Sequence, residues 1–235
     1  MQEKVCLIIP CYNEAGRLDI NRFKDFHENI FYIFVNDGSS DGTESLINKN
    51  LSENIFLLNL DRNSGKGEAV RQGMLYARSL SVYSEFEWIG FWDADLATPL
   101  TEIPMFLRYA KNHDTKIDSI WGSRIYKLGS NIERSFFRHI IGRIFATVIS
   151  LVLGVKSYDS QCGAKLFKPD IIDVVFKEPF ISKWIFDVEI LKRLSGHAVI
   201  EYPVCIWSDV GGSKMNLKRE VIRTLLDILR IRFRY

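Results

Sequence analysis

The sequence predicts an α/β fold built on a mostly parallel, Rossmann-like sheet flanked by helices. Three observations lead there. Short apolar runs alternate with stretches of helical periodicity through the first half of the chain. Each of the first four runs stops at a polar or glycine-bearing loop. No apolar stretch reaches the roughly 20 residues that a membrane-spanning helix needs.

The elements follow in order. Residues 5–10 are continuously apolar, as in a strand covered on both faces. A mixed segment over 18–28 leads to a second strand at 30–35, and the dense turn signal Asn36-Asp37-Gly38-Ser39-Ser40-Asp41-Gly42 precedes a short helix ending near Asn50. A third strand spans 55–60. The segment 67–80 reads as helix, with Val70, Met74, Leu75 and Ala77 apolar. A fourth strand spans 88–92 and ends at Asp93, 104–111 is helical, and 119–122 is a further short strand. Strands separated by helices of this size imply parallel, right-handed crossovers. The second half is less regular: an apolar helix over 133–155, a strand at 162–167, a helix at 185–195, a strand at 199–206 and a basic amphipathic helix over 214–235. With no repeat or Pro/Gly-rich linker, the chain reads as one domain over 1–235.

Composition narrows the function. A net charge of +2 over 235 residues makes no demand for a nucleic-acid partner. Cys6, Cys11, Cys162 and Cys205 form no CxxC pair, and the chain enters its first strand without a cleavage pattern, so the cysteines read as reduced thiols of a cytoplasmic protein. The phosphate cradles GxGxxG and GxxxxGK[ST] are absent, which disfavours a dinucleotide oxidoreductase and a P-loop kinase.

In an open parallel sheet, ligands bind outside the carboxyl ends of the strands. Pro10-Cys11-Tyr12-Asn13-Glu14, Asn36-Asp37-Gly38, the segment from Asp61 to Gly67 and Asp93-Ala94-Asp95 therefore share one rim. Residues two apart in an extended segment point the same way, so Asp93 and Asp95 set two carboxylates side by side. They repel unless a cation neutralises them, and hard oxygen ligands suit Mg²⁺ or Mn²⁺ bridging to phosphate oxygens.

These residues resemble the donor-site motifs of the inverting glycosyltransferases of family 2, with the GT-A fold. The resemblance continues through Arg62-Asn63-Ser64-Gly65-Lys66-Gly67, Gly122-Ser123-Arg124, Gln161 to Phe167 and Trp184 to Glu189, where it is similar to the dolichyl-phosphate glucosyltransferase branch. It implies a nucleotide-sugar donor half over 1–123, an acceptor half over 124–213 and the basic helix over 214–235. It implies that Pro10, Cys11, Tyr12, Glu14, Asp37, Gly65, Lys66, Asp93 and Ala94 bind a nucleoside-diphosphate sugar, preferably a UDP-sugar. Asp37 then accepts a hydrogen bond from the base, and Asp93 and Asp95 hold the metal. The polyprenyl-phosphate mannosyl branch carries a metal-binding Gln where this chain has Ala97, a departure that argues against a mannosyl donor. The processive-synthase signature QxxRW is absent.

On the acceptor side, Arg124, Arg134, Arg138 and Arg143 bracket the start of the apolar helix, Arg134 and Arg138 sharing a face. Guanidinium groups beside an apolar strip fit a polyprenyl-phosphate lipid, and the resemblance adds Gln161. From Lys214 to Arg234 seven basic and two acidic residues accompany Leu217, Val221, Leu225, Ile228 and Leu229, a pattern that fits a helix lying on a membrane surface at its cytosolic face. A phosphate nucleophile needs no strong general base; a sugar hydroxyl does, and Asp187 or Asp159 would supply it. Trp184 stacks on a sugar or fills core, and Lys165 binds phosphate or sits on the surface. The rival readings are transfer to a saccharide hydroxyl in surface-polysaccharide assembly, a sugar-nucleotide nucleotidyltransferase, and a non-catalytic nucleotide-binding or scaffold protein.

Overall fold

The computed structural model describes residues 3–133, 136–208 and 217–235, the side chains of 136–141, 217–223 and 225 excepted. In chain order the elements are β1 (Val5–Cys11), α1 (Asn21–Lys24), β2 (Ile30–Asp37), α2 (Thr43–Asn48), β3 (Ile55–Leu60), α3 (Lys66–Ala77), β4 (Trp88–Trp92), α4 (Ile103–Lys111), β5 (Ser119–Ser123), β6 (Asn131–Glu133), α5 (Phe136–Leu153), β7 (Ala164–Phe167), α6 (Ile172–Phe176), α7 (Phe186–Arg193), β8 (Val199–Pro203), β9 (Ile206–Ser208) and α8 (Leu217–Arg234).

Among the described residues, seven strands form one sheet in the order β3-β2-β1-β4-β7-β5-β8, and β6 pairs with β9 in a second, small sheet. β1 runs parallel to β2 and β4, and β2 to β3. This is the parallel pairing expected of the first four strands. Period-2 alternation sends Val5, Leu7 and Ile9 into the core on one face, against Phe23, Trp92 and Phe106. Cys6 and Ile8 enter the other core with Val70, Met74 and Phe167. Both faces of β1 are thus covered, as its unbroken apolar run requires.

Three expectations shift. The strand expected at 162–167 is antiparallel to both its neighbours, β4 and β5, so the sheet is mixed. Glu133 belongs to β6 rather than to the helix that follows. The strand expected over 199–206 is two. Oε1 of the buried Glu102 accepts hydrogen bonds from the N–H groups of Cys205 (3.1 Å) and Ile206 (3.0 Å), which bends the chain away from the main sheet. A third apolar cluster joins α5, α7 and α8 through Ile149, Leu153, Val188, Ile228 and Ile231. Among the described residues, no helix is long and apolar enough to cross a membrane.

Candidate active site

A cleft of about 440 Å³ opens where the loops after β1, β2, β3 and β4 converge. The four clusters read from the sequence all reach it: Pro10, Cys11, Tyr12 and Glu14; Asp37; Gly65 and Lys66; Asp93, Ala94 and Asp95.

Backbone hydrogen bonds fix these loops to one another. Asn13 adopts a positive φ of 55°, a conformation that asparagine tolerates better than most residues. Its N–H donates to Ser39 Oγ (3.0 Å) and its side-chain oxygen accepts from Ser40 N–H (2.9 Å). Glu14 N–H donates to Thr43 Oγ1 (2.8 Å) and Ala15 N–H to Asp41 Oδ2 (3.1 Å). Asp41 is the hinge of this zipper. Burial acts against its charge, but hydrogen bonds from Thr43 and Ala15 prevail and lower its pKa.

Asp37 is buried, and its two oxygens accept from the N–H groups of Ser64 (2.7 Å) and Gly65 (2.8 Å). The residue expected to meet a base therefore also holds the β3 loop in place. Gly38 has φ of 63°, and a Cβ there would fall 2.5 Å from the Arg62 backbone, so no side chain fits. Glu14 is buried at the cleft wall. It pairs with Arg17, whose Nη2 lies 2.5 Å from Glu14 Oε1, and Arg17 lines the cleft. The Glu14 hydrogen bond raises the Arg17 pKa, with Asp95 and Asp93 adding to it.

The carboxylate pair sits at the tip of β4. Lys66 Nζ lies 2.5 Å from Asp93 Oδ1. Burial disfavours the Lys66 charge, but Asp93, Asp187 and Asp95 outweigh it and raise the pKa. Asp95 Oδ1 accepts from Ala97 N–H (3.0 Å). Burial, then the like charge of Asp93, raise the Asp95 pKa. Asp93 N–H donates to Gly163 O (3.0 Å), and a Cβ on Gly163 would fall 1.8 Å from Asp93 Oδ2. The Asp93 carboxylate thus occupies the space that the missing side chain leaves.

Sequence reasoning missed Arg17 in the cleft, gave Asn63 no role of its own within the cluster from Asp61 to Gly67, and left Trp184 open between sugar and core. Trp184 is 46% exposed and lines the cleft from the turn before α7. The one available signal for Arg17 was its i,i+3 spacing from Glu14.

A second, smaller cavity of about 100 Å³ is lined by Arg124, Arg143, Phe145, Tyr158, Asp159 and Gln161, among others. Arg124 forks onto Asp159 (Nε–Oδ2 2.6 Å, Nη2–Oδ1 2.7 Å), and its own N–H adds a third bond to Oδ2 (3.0 Å). Burial opposes the Arg124 charge, but Asp159 overrides it and raises the pKa. Arg143 lies 3.8 Å from the Tyr158 ring centroid and donates to Tyr158 O (2.8 Å). Gln161 Nε2 is buried without a hydrogen-bond partner among the described residues. Arg134 and the side chain of Arg138 lie outside the described residues.

Asp187 is buried within the first turn of α7, behind the cleft lining, and accepts a hydrogen bond from Lys165 Nζ. Burial raises its pKa, while Lys165 and Lys66 pull the other way. Lys165 is not a surface residue. It is fully buried, and its ammonium also donates to Ser160 O (2.9 Å) and Cys162 O (2.7 Å). All four cysteines are unpaired.

The glycosyl transferase family 2 model matches residues 6–176. A dolichyl-phosphate beta-glucosyltransferase of Trichomonas vaginalis is 34% identical over 98% of this chain and 73% of its own length. One of Dictyostelium discoideum is 34% identical over 97% of this chain and 74% of its own, and one of Saccharomyces cerevisiae 31% identical over the same shares. Among solved structures, glucosyl-3-phosphoglycerate synthase from Mycobacterium tuberculosis in complex with Mn²⁺, UDP-glucose and phosphoglyceric acid superposes with a TM-score of 0.70 at 14% identity, covering 98% of this chain and 80% of that one. The same enzyme with Mg²⁺ and UDP gives 0.66 at 17%, over 97% and 79%. That likeness is one of fold, and the fold is GT-A. The chain belongs to glycosyltransferase family 2 and is a hexosyltransferase.

Proposed function

We propose that this enzyme transfers glucose, with inversion, from UDP-glucose to the phosphate of a dolichyl- or polyprenyl-phosphate lipid at a membrane surface. The observation that carries the reading is the segment 159–163. It presents Asp159 and Gln161 to the arginine-lined cavity and Gly163 to the Asp93 carboxylate, so it is common to both sites. A donor diphosphate in the larger cleft and an anionic acceptor in the smaller cavity would then lie on either side of one short stretch of chain. The relatives named for dolichyl-phosphate glucosyl transfer, and the Mycobacterium enzyme's complexes with UDP-glucose, point the same way.

The residues at the tip of β4 fit a divalent cation. Asp93 and Asp95 offer hard oxygen donors at the open cleft, and Gly163 gives the Asp93 carboxylate room. Among the described residues no group of three or more His, Cys, Asp or Glu forms a full cage. Two carboxylates would hold the ion, with the remaining oxygen ligands to come from the diphosphate and water. When bound, the ion supplies neutralisation of the departing diphosphate. Lys66 and Arg17 add fixed positive charge beside it. Tyr12 and Asp37 would border the uridine. Arg124, Arg143 and Gln161 would orient the acceptor phosphate, joined by Arg134 and Arg138. The donor function of 1–123 and acceptor function of 124–213 are part of this proposal, with Trp184 reaching back into the donor cleft.

Both candidate bases have partners: Asp159 holds Arg124 and Asp187 holds Lys165. A phosphate monoester, whose second pKa is about 6, attacks without needing a base. That chemistry favours a lipid phosphate over a sugar hydroxyl. The membrane surface is supported by exposed Ile144 and Leu151 on α5, and by exposed Leu226, Leu229 and Phe233 on α8 interleaved with Arg230, Arg232 and Arg234. A cytosolic-face location is in keeping with the unpaired cysteines.

The test is a donor panel of UDP-glucose, UDP-N-acetylglucosamine and GDP-mannose, with Mn²⁺ or Mg²⁺ and polyprenyl phosphate, product read by mass. The expected product is glucosyl-phosphoryl-polyprenol from UDP-glucose. Transfer only to saccharide hydroxyls, or only from a GDP-sugar, would overturn the reading.

A further inference from the structure

The wall of the cleft that carries Trp184 is held by the C-terminal helix. Ser182, Lys183, Trp184 and Ile185 form the turn leading into α7, and Ser182 is buried at its base. The Ser182 hydroxyl accepts from the N–H groups of Trp184 (3.2 Å) and Ile185 (3.1 Å). It donates to Asp227 Oδ2 (2.8 Å), which lies on α8. A serine hydroxyl has one proton and two lone pairs, and all three are used. Because a carboxylate only accepts, Asp227 fixes the direction of the hydroxyl proton and turns both lone pairs toward the two N–H groups.

The surroundings make this contact directional. Ile228 and Ile231 of α8 pack in one apolar cluster with Ile185 and Val188, so the helix meets α7 beside the turn. At the far end, Tyr235 Oη donates to Glu189 Oε1 (3.1 Å) and accepts from Arg193 Nε (3.0 Å), pinning the chain end to α7. On the cleft side, the Lys183 side chain lies 3.3 Å from where a Gly65 Cβ would be, so the turn abuts the β3 loop. Trp184 itself remains half-exposed and lines the cleft. An aromatic ring in that position offers a stacking face for a base or pyranose.

We propose that Ser182 and Asp227 are positioning residues for nucleotide-sugar binding, a hydrogen-bonded strut through which α8 sets the Trp184 face of the cleft. The inference rests on the reading of that cleft as the donor site.

The experiment is calorimetric titration of UDP-glucose with Mn²⁺ into the full chain, paired with transfer kinetics. Ser182→Ala and Asp227→Ala should each weaken donor binding about tenfold, the size expected for losing a hydrogen bond to a charged group. The donor KM should rise in step while kcat at saturating donor stays within about twofold. Asp227→Asn should recover near wild-type affinity, because its amide oxygen still accepts the Ser182 proton. Arg230→Ala, which removes only the exposed partner of Asp227 Oδ1, should bind donor as wild type does. The double variant Ser182→Ala/Asp227→Ala should be no weaker than either single one. Thermal melts accompany each variant, and Ser182→Ala, which leaves α8 its apolar contacts, carries the test if Asp227→Ala is poorly folded. Wild-type affinity in folded Ser182→Ala, or equal losses in Asp227→Ala and Asp227→Asn, would overturn the strut. A wild-type protein that binds no UDP-glucose would instead overturn the reading of the cleft, and the strut with it.

Discussion

The proposed donor cleft and the arginine-lined cavity are held together differently. In and beside the cleft, three acidic side chains are held by backbone N–H groups, Asp37 by Ser64 and Gly65, Asp41 by Thr43 and Ala15, and Asp95 by Ala97, while Glu14 and Asp93 pair with Arg17 and Lys66. In the smaller cavity, side chains hold one another across the sequence, Arg124 with Asp159 and Arg143 with Tyr158. The Asp159 segment is in turn held from β8. Glu201 accepts from Ser157 Oγ (2.9 Å), Tyr158 N–H (2.8 Å) and Asp159 N–H (2.9 Å). The first arrangement leaves charge at fixed points, as the proposed diphosphate and its cation would require. The second keeps two cationic groups ordered beside a small cavity, Arg124 through the counter-charge of Asp159 and Arg143 through the ring and carbonyl of Tyr158.

The contrast yields ordered expectations. The largest effect belongs to the carboxylate pair. Asp93→Ala should lower kcat/KM for transfer on the order of 10²–10³-fold while leaving the melting temperature near that of wild type, since one partially exposed ion pair with Lys66 is lost. A loss under tenfold in steady-state kinetics would move the site elsewhere.

Next comes Arg124→Ala. Removing it strands a nearly buried Asp159, a change that typically costs about 3–5 kcal/mol. Denaturant unfolding should register it. The double substitution Arg124→Met/Asp159→Leu should regain much of that stability without regaining transfer to polyprenyl phosphate. Recovery of both would reduce the pair to scaffolding.

Glu201→Ala should be milder, about 1.5–3 kcal/mol of stability for its lost hydrogen bonds. The KM for lipid phosphate should rise and that for UDP-glucose should not. Equal rises in both would mean that the two regions are not separable.

The smallest effect concerns pH. Burial and Asp93 raise the Asp95 pKa, so its proton competes with a cation at higher pH than an ordinary exposed carboxylate's would. Mn²⁺ affinity should therefore weaken as pH falls, starting above the usual carboxylate range. Without metal the sign reverses: a raised folded-state pKa contributes stability at low pH that is lost as pH rises through it. Melting temperatures with and without Mn²⁺ across that range separate the two.

This division also explains what was legible in the sequence. Donor-side residues lie in short local motifs at strand ends, where a continuous apolar run and the polar loop after it are enough to place them. β3 and β4 were read to the residue, and the four loop clusters met as expected. The other side depends on contacts that no local pattern encodes. The reversal of β7, the burial of Lys165 between Asp187 and backbone carbonyls, and the division of β8 from β9 by Glu102 are all long-range. Lys165 is the clearest case. Alternation placed it on a strand, but only the assembled sheet puts Trp121 and Phe91 under its ammonium, at 4.4 and 5.0 Å from the ring centroids. Arg17 was hidden differently, since a lone arginine after a turn reads as surface until Glu14 turns it toward the cleft.

The most direct measurement is the Mn²⁺ dependence of UDP-glucose binding to wild type and to Asp95→Ala, by calorimetry near neutral pH. The account predicts that Mn²⁺ tightens donor binding to the wild type and barely changes it in the variant. Equal tightening in both would contradict it.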